Sequence, residues 1–200
     1  MSDYDNDYKI NTKELNVAKE LLIYCQEELC CKNKDVNLWK MIRFGKARNF
    51  DLKKMKIMAE FYVKFISSNS YLTIMSEISN NEDKEISNLL NFGICMEDKE
   101  GYPILVSQIN QRNFEELLNK YSVEQLISWN VRTVTNICKI VFATSSSFHL
   151  KRMDKMMIII DFQKSNPLYF IKGKAKEFMV GLSQRVQGTF PDLIKKVIVM

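Results

Sequence analysis

The chain has 200 residues, of which 46% are hydrophobic and 26% are charged, with a formal net charge of +5. These proportions are ordinary for a globular protein, and the length suits one domain or a small domain with an attached helical lobe. With only 6 Gly and 3 Pro, the composition excludes collagen-like, Pro-rich and low-complexity chains.

The sequence lacks the signals of secretion and of membrane insertion. Its N-terminus is acidic where a signal peptide is basic, and its longest apolar runs fall far short of the ~20 residues that span a bilayer. The five cysteines are odd in number and include no C-x-x-C pattern, which favours buried reduced thiols in an intracellular protein. We expect neither a secretory leader nor a transmembrane helix.

No pattern in the sequence indicates catalysis or metal binding. The only histidine is His149, and Walker, G-x-S-x-G and H-E-x-x-H motifs are absent. We expect His149 to end a helix, and a Cys–His catalytic pair has no local signature in its favour. The sequence therefore predicts no catalytic residue, no metal site and no enzyme activity.

Apolar residues recur at helical spacing as far as residue 92. Asn11 with Glu14 forms a capping-box pattern before the first helix, and Asp35 and Asp51 are placed to cap the second and third. The pattern predicts helices at about 12–31, 36–47, 52–67, 70–79 and 83–92. We therefore expect an all-helical N-terminal lobe over residues 1–93.

The pattern changes after Gly93. Two short apolar runs around a charged turn predict a β-hairpin at 94–96 and 102–106, with Pro103 typical of an edge strand. A long helix is predicted over about 122–144. The continuous apolar runs Met156–Phe162 and Val197–Val199 read as strands buried on both faces, with a helix over about 167–186 between them.

A strand, a helix and a second strand in succession form a βαβ unit. We therefore expect 156–162 and 196–200 to be parallel neighbours in one sheet. The predicted fold class is α/β (α+β), with the helical lobe followed by an α/β domain over residues 94–200. Because an apolar strand is an unusual place for a chain to stop, we also expect a chain truncated within that domain.

Four segments, taken in order, resemble motifs of the CRAL-TRIO lipid-transfer family, of the phosphatidylinositol/phosphatidylcholine transfer type. Residues 42–52, IRFGKARNFDL, resemble its helix-turn-helix signature, and residues 98–104, DKEGYPI, resemble its hairpin. Residues 158–161, IIID, resemble its central strand, and residues 190–199, FPDLIKKVIV, resemble its Y-P-E segment. Together the four matches extend from about residue 42 to residue 200.

The resemblance implies a sheet and covering helices that enclose one lipid, with no cofactor besides that lipid. The lining is expected from the apolar side chains of Phe148, Met153, Met156, Met157 and Phe162. The resemblance adds Leu105 and Ile158 as lipid-binding positions, and it implies that Arg48 and Asp192 lie at the headgroup end. The reading of the residues alone leaves two alternatives open. The apolar side chains also suit a solid core, and Arg48 with Asp192 also suits a salt bridge.

Departures from the family pattern narrow the expected ligand. Leu105, Met156 and Ile158 are apolar where phosphatidylcholine-binding members carry a tyrosine and hydroxyl residues. Asn49 stands where phosphoinositide-binding members carry a lysine, while Arg48 keeps one charge. The expected ligand is phosphatidylinositol or another anionic phospholipid. A recruitment or signalling module that has lost lipid transfer is the alternative.

The C-terminal part of the chain is basic. Residues 131–200 carry 12 Lys/Arg and 4 Asp/Glu, whereas residues 1–130 carry 17 and 20. Such an imbalance indicates an anionic partner or a solvated surface. Because no RNP-like motif accompanies the lysines, we expect no nucleic-acid partner.

The helix between the two C-terminal strands is the candidate for membrane docking. Its predicted inward residues include Ile171, and Lys172, Lys176 and Arg185 are expected on its outer face. We predict transient binding of these three to an anionic membrane surface, by a monomeric cytoplasmic protein that is peripheral on membranes.

Overall fold

The computed structural model describes residues 10–68, 81–149, 153–162 and 165–200. The chain forms two compact units, which we describe separately. The first comprises Met1–Thr73 with Val186–Asp192, and the second comprises Ile74–Arg185 with Leu193–Met200. In this division, residues 186–192 belong to the first unit. The helix predicted at 70–79 lies outside the described residues.

Three helices build the first unit. They are α1 (Thr12–Glu27), α2 (Leu38–Arg48) and α3 (Leu52–Ile66). Asn11 caps α1 in the expected capping box, and Asp51 caps α3. The cap of α2 is Asn37, whose side chain accepts from the Lys40 N–H, and not the predicted Asp35. The helices pack on one another through a core that includes the fully buried Leu21, Met41, Ile42, Phe44 and Met55.

A tight turn between α2 and α3 is the middle of the IRFGKARNFDL segment. Asn49 and Phe50 both adopt left-handed backbone conformations, with φ of 52° and 53°. The Phe50 ring folds back onto Gly45, where an added Cβ would stand only 2.2 Å from a ring carbon. Gly45 is therefore required by this close approach, and the turn is a specific structure and not a loose link.

The second unit is built on a four-stranded sheet. Its strands are β1 (Phe92–Glu97), β2 (Pro103–Gln108), β3 (Met156–Asp161) and β4 (Ile194–Val199), in the order β1-β2-β3-β4. The first pair is antiparallel, as expected for a hairpin, and the β2–β3 and β3–β4 pairs are parallel. The predicted βαβ pairing of β3 with β4 is confirmed.

The helices of the second unit connect these strands. α4 (Asn81–Leu90) precedes β1, and α5 (Gln111–Lys120), α6 (Val123–Asn136), a π-helical turn (Ile137–Val141) and α7 (Phe142–His149) lie between β2 and β3. A 3₁₀ turn (Pro167–Ile171) and α8 (Gly173–Thr189) lie between β3 and β4. Among the described residues, no helix is both long and apolar enough to cross a bilayer.

Three predictions about the helices need correction. The long helix at 122–144 is interrupted, because the Phe142 N–H bonds to the Ile137 carbonyl across a wider π-helical turn. This stretch is rich in β-branched residues, which crowd the preceding turn of an α-helix. The sequence reading assigned no element to α5, which is capped by Asn110. Ile171, expected to face inward, is 59% exposed.

Three predictions about the strands also need correction. β2 is internal and not an edge, and the buried Pro103 is tolerated because it is the first residue of the strand. β3 is half-buried beyond Met156. β4, expected to be buried, is largely exposed, because it is an edge strand of the sheet in the described structure.

The cysteines only partly match the expectation of buried thiols. Cys25 and Cys31 are buried, Cys138 is half-buried, and Cys30 and Cys95 are exposed. None of the five forms a disulfide in the described chain.

A charged cluster joins the β1–β2 turn to the beginning of β4. The Lys195 Nζ lies 2.9 Å from Asp98 Oδ2 and 3.0 Å from Glu100 Oε1, and it stands over the Tyr102 ring at 4.1 Å. Burial opposes ionisation of Asp98, but N–H groups of Tyr102 and Glu100 and the Lys195 ammonium outweigh it and lower its pKa. Burial likewise opposes the charge on Lys195, but the two carboxylates outweigh it and raise its pKa.

Lys195→Met should lower the free energy of unfolding by about 1 kcal/mol near neutral pH, because it removes a partly buried ion pair. Since the folded-state pKa of Asp98 is lowered, its contribution is present above its unfolded pKa of ~3.9 and is lost as the pH falls through the folded value. The difference between the wild-type protein and the variant should therefore shrink in acid. Urea denaturation at pH 7 and pH 3 measures both quantities.

Lys196→Met is the matched control, since Lys196 is the exposed neighbour on the same strand. It should change the free energy of unfolding by less than about 0.5 kcal/mol. Equal losses in the two variants would show that the Lys195 cluster contributes no specific stability.

Candidate functional site

Two basic residues of α2 bind the segment 186–192 within the first unit. Arg43 Nε donates to the Pro191 carbonyl at 2.9 Å, and Lys40 Nζ donates to the Thr189 carbonyl at 3.1 Å. Lys40 also stands over the Tyr62 ring at 4.6 Å. Thr189 ends α8, whose last carbonyls carry partial negative charge, so a lysine there is electrostatically favourable. Two of the four motif segments that carry the family resemblance therefore meet here.

Arg48 and Asp192, the predicted headgroup residues, are also in the first unit. The Arg48 Nη1 donates to the Ala47 carbonyl of its own helix at 3.0 Å. Asp192 is half-buried and adopts a left-handed backbone conformation with φ of 55°. In the described chain no ion pair joins Arg48 to Asp192. The salt-bridge alternative is therefore wrong, and Arg43, which the sequence reading did not select, is the arginine that bonds to the Pro191 turn.

The predicted cavity-lining residues share one face of the sheet. Leu105 on β2 is directly opposite Ile158 on β3, and Met156 points to the same side, two residues before Ile158. Leu105 is 3% exposed and Met156 1%, while Ile158 is half-buried. In the described structure, Leu105 and Met156 therefore belong to the packed interior of the second unit.

Phe162 belongs to an aromatic cluster beside the sheet. Its ring centroid lies 5.5 Å from that of Phe170, and the Phe170 ring lies 5.4 Å from Phe114. Phe114 also contacts Phe178 of α8 at 5.2 Å. The cluster joins the end of β3 to α5, the 3₁₀ turn and α8 through edge-on and tilted contacts between these rings.

A pocket that the sequence reading did not anticipate lies beside α4 and α6, with a volume of about 520 Å³. The half-buried ion pair of Arg132 with Asp83 forms its polar side, and Trp129 contributes to its apolar side. The π-helical turn Ile137–Val141 supplies further apolar residues. No sequence motif marks this pocket, because its residues come from separate helices. They are Asp83, Lys84, Ser87, Asn88, Trp129, Arg132, Thr133, Asn136, Ile137, Ile140 and Val141.

The three basic residues predicted for membrane docking have different surroundings. Lys172 and Lys176 are exposed. The Arg185 side chain is only 23% exposed, and its Nη2 lies 3.1 Å from Glu124 Oε1. Lys174, between the first two, donates to the Leu118 carbonyl at 3.3 Å. Lys172 and Lys176 are therefore the two whose charge is presented to solvent, while the charge of Arg185 is compensated by Glu124.

Arg43→Ala should lower the free energy of unfolding by about 1.5–3 kcal/mol, because it removes a charged donor from the Pro191 carbonyl. Arg48→Ala, five residues further along the same helix, should cost less than about 0.5 kcal/mol. Urea denaturation of the two variants tests this difference. If Arg48→Ala cost as much as Arg43→Ala, the assignment of the holding role to Arg43 would be contradicted.

The sequence has low-identity relatives among curated proteins, although no profile of a known protein family matches it. It is 24% identical over 161 residues to the phosphatidylinositol/phosphatidylcholine transfer protein SFH12 of Arabidopsis thaliana, covering 80% of this chain and 29% of that protein. It is 24% identical over 169 residues to SFH7, a protein of the same description and plant, covering 84% and 30%. The chain thus spans under a third of the length of these relatives.

The fold is similar to that in a crystal structure of Sfh5. The TM-score is 0.59 at 14% sequence identity, and the match covers 94% of this chain and 70% of that chain. At this identity the likeness concerns the fold alone, and it confirms the expected mixed α/β class. The chain therefore has a mixed α/β fold like that of Sfh5, and its sequence relatives include phosphatidylinositol/phosphatidylcholine transfer proteins, which supports the CRAL-TRIO resemblance.

Proposed function

We propose that this chain is a lipid-binding protein of the CRAL-TRIO type, which holds one phospholipid and moves or presents it between membranes. The observation that carries the proposal is the mixed sheet with parallel β2, β3 and β4, shared in fold with Sfh5. The names of the sequence relatives support lipid transfer as the general activity. Phosphatidylinositol or another anionic phospholipid is the proposed ligand, since Arg48 offers a positive charge to an anionic headgroup.

The proposed acyl-chain site is the sheet face that carries Leu105, Met156 and Ile158, with Phe162 at its end. Because Leu105 and Met156 are buried, a lipid tail would enter by displacing the side chains that now cover them. Methionine adapts its shape readily, and each buried CH₂ of the tail would contribute ~0.8 kcal/mol. Arg48 and Asp192 remain the proposed headgroup residues, because an arginine can bond an anionic phosphate.

The proposed membrane contact is peripheral and electrostatic. It uses Lys172 and Lys176, which are exposed, with a smaller contribution from Arg185, whose charge Glu124 compensates. We propose a cytoplasmic protein that meets anionic membranes transiently. The burial of Leu105 and Met156 favours a second candidate, a recruitment module that has kept the fold and lost lipid transfer.

Incubation with vesicles of phosphatidylcholine and phosphatidylinositol, followed by re-isolation and mass spectrometry, tests lipid binding. We expect phosphatidylinositol to be recovered with the wild-type protein. Ile158→Ser should reduce the recovered lipid several-fold, because it places a hydroxyl on the proposed acyl face. Ile159→Ser is the matched control, since Ile159 is also half-buried but points to the opposite face of the sheet.

Two outcomes would contradict this proposal in different ways. Recovery of no lipid with the wild-type protein would favour the recruitment module. Loss of lipid in Ile159→Ser with normal recovery in Ile158→Ser would place the lipid on the other face of the sheet.

Vesicle flotation tests the membrane contact separately. Lys172→Gln combined with Lys176→Gln should weaken binding to phosphatidylserine-containing vesicles by about tenfold or more, at ~1 kcal/mol for each lysine. Binding of the wild-type protein should also fall with moderate salt. Lys13→Gln combined with Lys19→Gln removes the same charge from exposed positions on α1 and should have a smaller effect. If the two double variants weaken vesicle binding equally, the binding depends on net charge alone and not on Lys172 and Lys176.

A further inference from the structure

Two cysteines are brought together at the end of α1. The helix ends at Glu27, and the Cys31 N–H donates to the Cys25 carbonyl at 3.0 Å. Between them the chain reverses through Cys30, a non-glycine residue with a left-handed φ of 50°. With standard bond lengths, this hydrogen bond keeps the two Cα atoms within about 7 Å of each other. A disulfide spans Cα separations of ~4.4–6.8 Å, so the backbone brings the two cysteines to within its reach.

Both side chains are buried in the first unit. Cys25 is 0% exposed and Cys31 8%, and the Cys25 Sγ lies 3.9 Å from the Met41 Sδ. Burial, with the neighbouring Cys31, raises the pKa of the Cys25 thiol to about 11. Cys30, by contrast, is exposed. Cys31 is therefore the member of the buried pair that an oxidant from solvent reaches first.

We propose that Cys25 and Cys31 form a reversible disulfide when the protein meets a peroxide. The Cys31 thiolate attacks one oxygen of hydrogen peroxide, which breaks the O–O bond and leaves a sulfenic acid and hydroxide. The Cys25 sulfur then attacks the sulfenic sulfur, and the S–O bond breaks as the S–S bond forms. The Cys25 proton leaves with the oxygen as water. Two thiols are oxidised, and one peroxide is reduced to two waters.

The disulfide would fix the end of α1 to the segment that leads into α2. The bond would hold the reversal of the chain at Cys30 covalently. The short loop that the disulfide closes would restrict the unfolded state. α2 carries Lys40 and Arg43, which bond to the segment 186–192. Oxidation should therefore make the first unit more resistant to denaturant. This proposal does not depend on the proposed lipid function.

The test uses the full chain with Cys30, Cys95 and Cys138 replaced by Ser, which leaves only the proposed pair. Circular dichroism first checks that this variant keeps the wild-type helix content. Treatment with hydrogen peroxide should lower its intact mass by two hydrogens and raise its urea midpoint, and dithiothreitol should reverse both changes. Cleavage after Glu27 and Glu28 separates the two cysteines in sequence, so the two peptides should stay joined until they are reduced.

The matched control carries the further change Cys31→Ser, and it should form no intramolecular bond. When the oxidised wild-type protein is cleaved in the same way, the Cys25 peptide should remain linked by the disulfide to the peptide that begins at Leu29. If peroxide raises the intact mass of the variant with only Cys25 and Cys31 by added oxygen, and no loss of two hydrogens is found, the proposal is overturned. A wild-type protein in which Cys30 pairs with Cys31, and the Cys25 peptide is released, would overturn it as well.

Discussion

Parallel pairing of β2, β3 and β4 is the constraint on which the second unit depends. Parallel neighbours cannot be joined by a tight turn, so the chain must travel back along the sheet between them. The connection from β2 to β3 is made by α5, α6, the π-helical turn and α7, and the connection from β3 to β4 by α8. These connections supply Phe114, Phe170 and Phe178, whose rings pack beside the end of β3. The elements that meet in this aromatic cluster are thus the connections that the parallel pairing requires.

In the first unit, a close approach of the chain has a comparable role. The Phe50 ring can lie against α2 only because Gly45 has no side chain. The resulting turn sets the direction in which α3 leaves α2, and Asp51 then caps α3. Lys40 and Arg43, on α2, use their charge to bond carbonyls at and after the end of α8. Two basic side chains of α2, of which Arg43 belongs to the IRFGKARNFDL segment, thus bind backbone carbonyls of another segment.

Much of this architecture could be predicted from local sequence signals. The caps at Asn11 and Asp51 depend on the chemistry of single side chains, which the sequence shows. The hairpin and the β3–β4 pairing follow from the periodicity and the order of neighbouring elements, which the sequence also shows. The position of β2 inside the sheet, the exposure of β4 and the choice of Arg43 over Arg48 depend on which elements meet. These features depend on tertiary contacts. Pro103 led to the wrong prediction of an edge strand, because proline is tolerated both in an edge strand and at the first residue of an internal strand.

The candidate site was predictable only in part, for the same reason. The family resemblance puts Leu105 and Ile158 in one site, and the register of β2 with β3 makes them direct neighbours. The burial of Leu105 and the half-burial of Ile158 could not be read from the strands, because exposure depends on which distant parts of the chain pack against them. The Arg132–Asp83 ion pair joins residues 49 positions apart in the sequence. No local sequence pattern therefore indicates the pocket beside it.

The central claim is that the sheet face of Leu105 and Ile158 receives the acyl chain of a phospholipid. Photo-crosslinking with phosphatidylinositol that carries a diazirine at the end of one acyl chain tests it most directly. Peptide mapping after irradiation should find the label on β2 and β3, at or beside Leu105, Met156 and Ile158. Labelling confined to exposed apolar residues such as Leu168 and Ile171, or no labelling at all, would contradict the account.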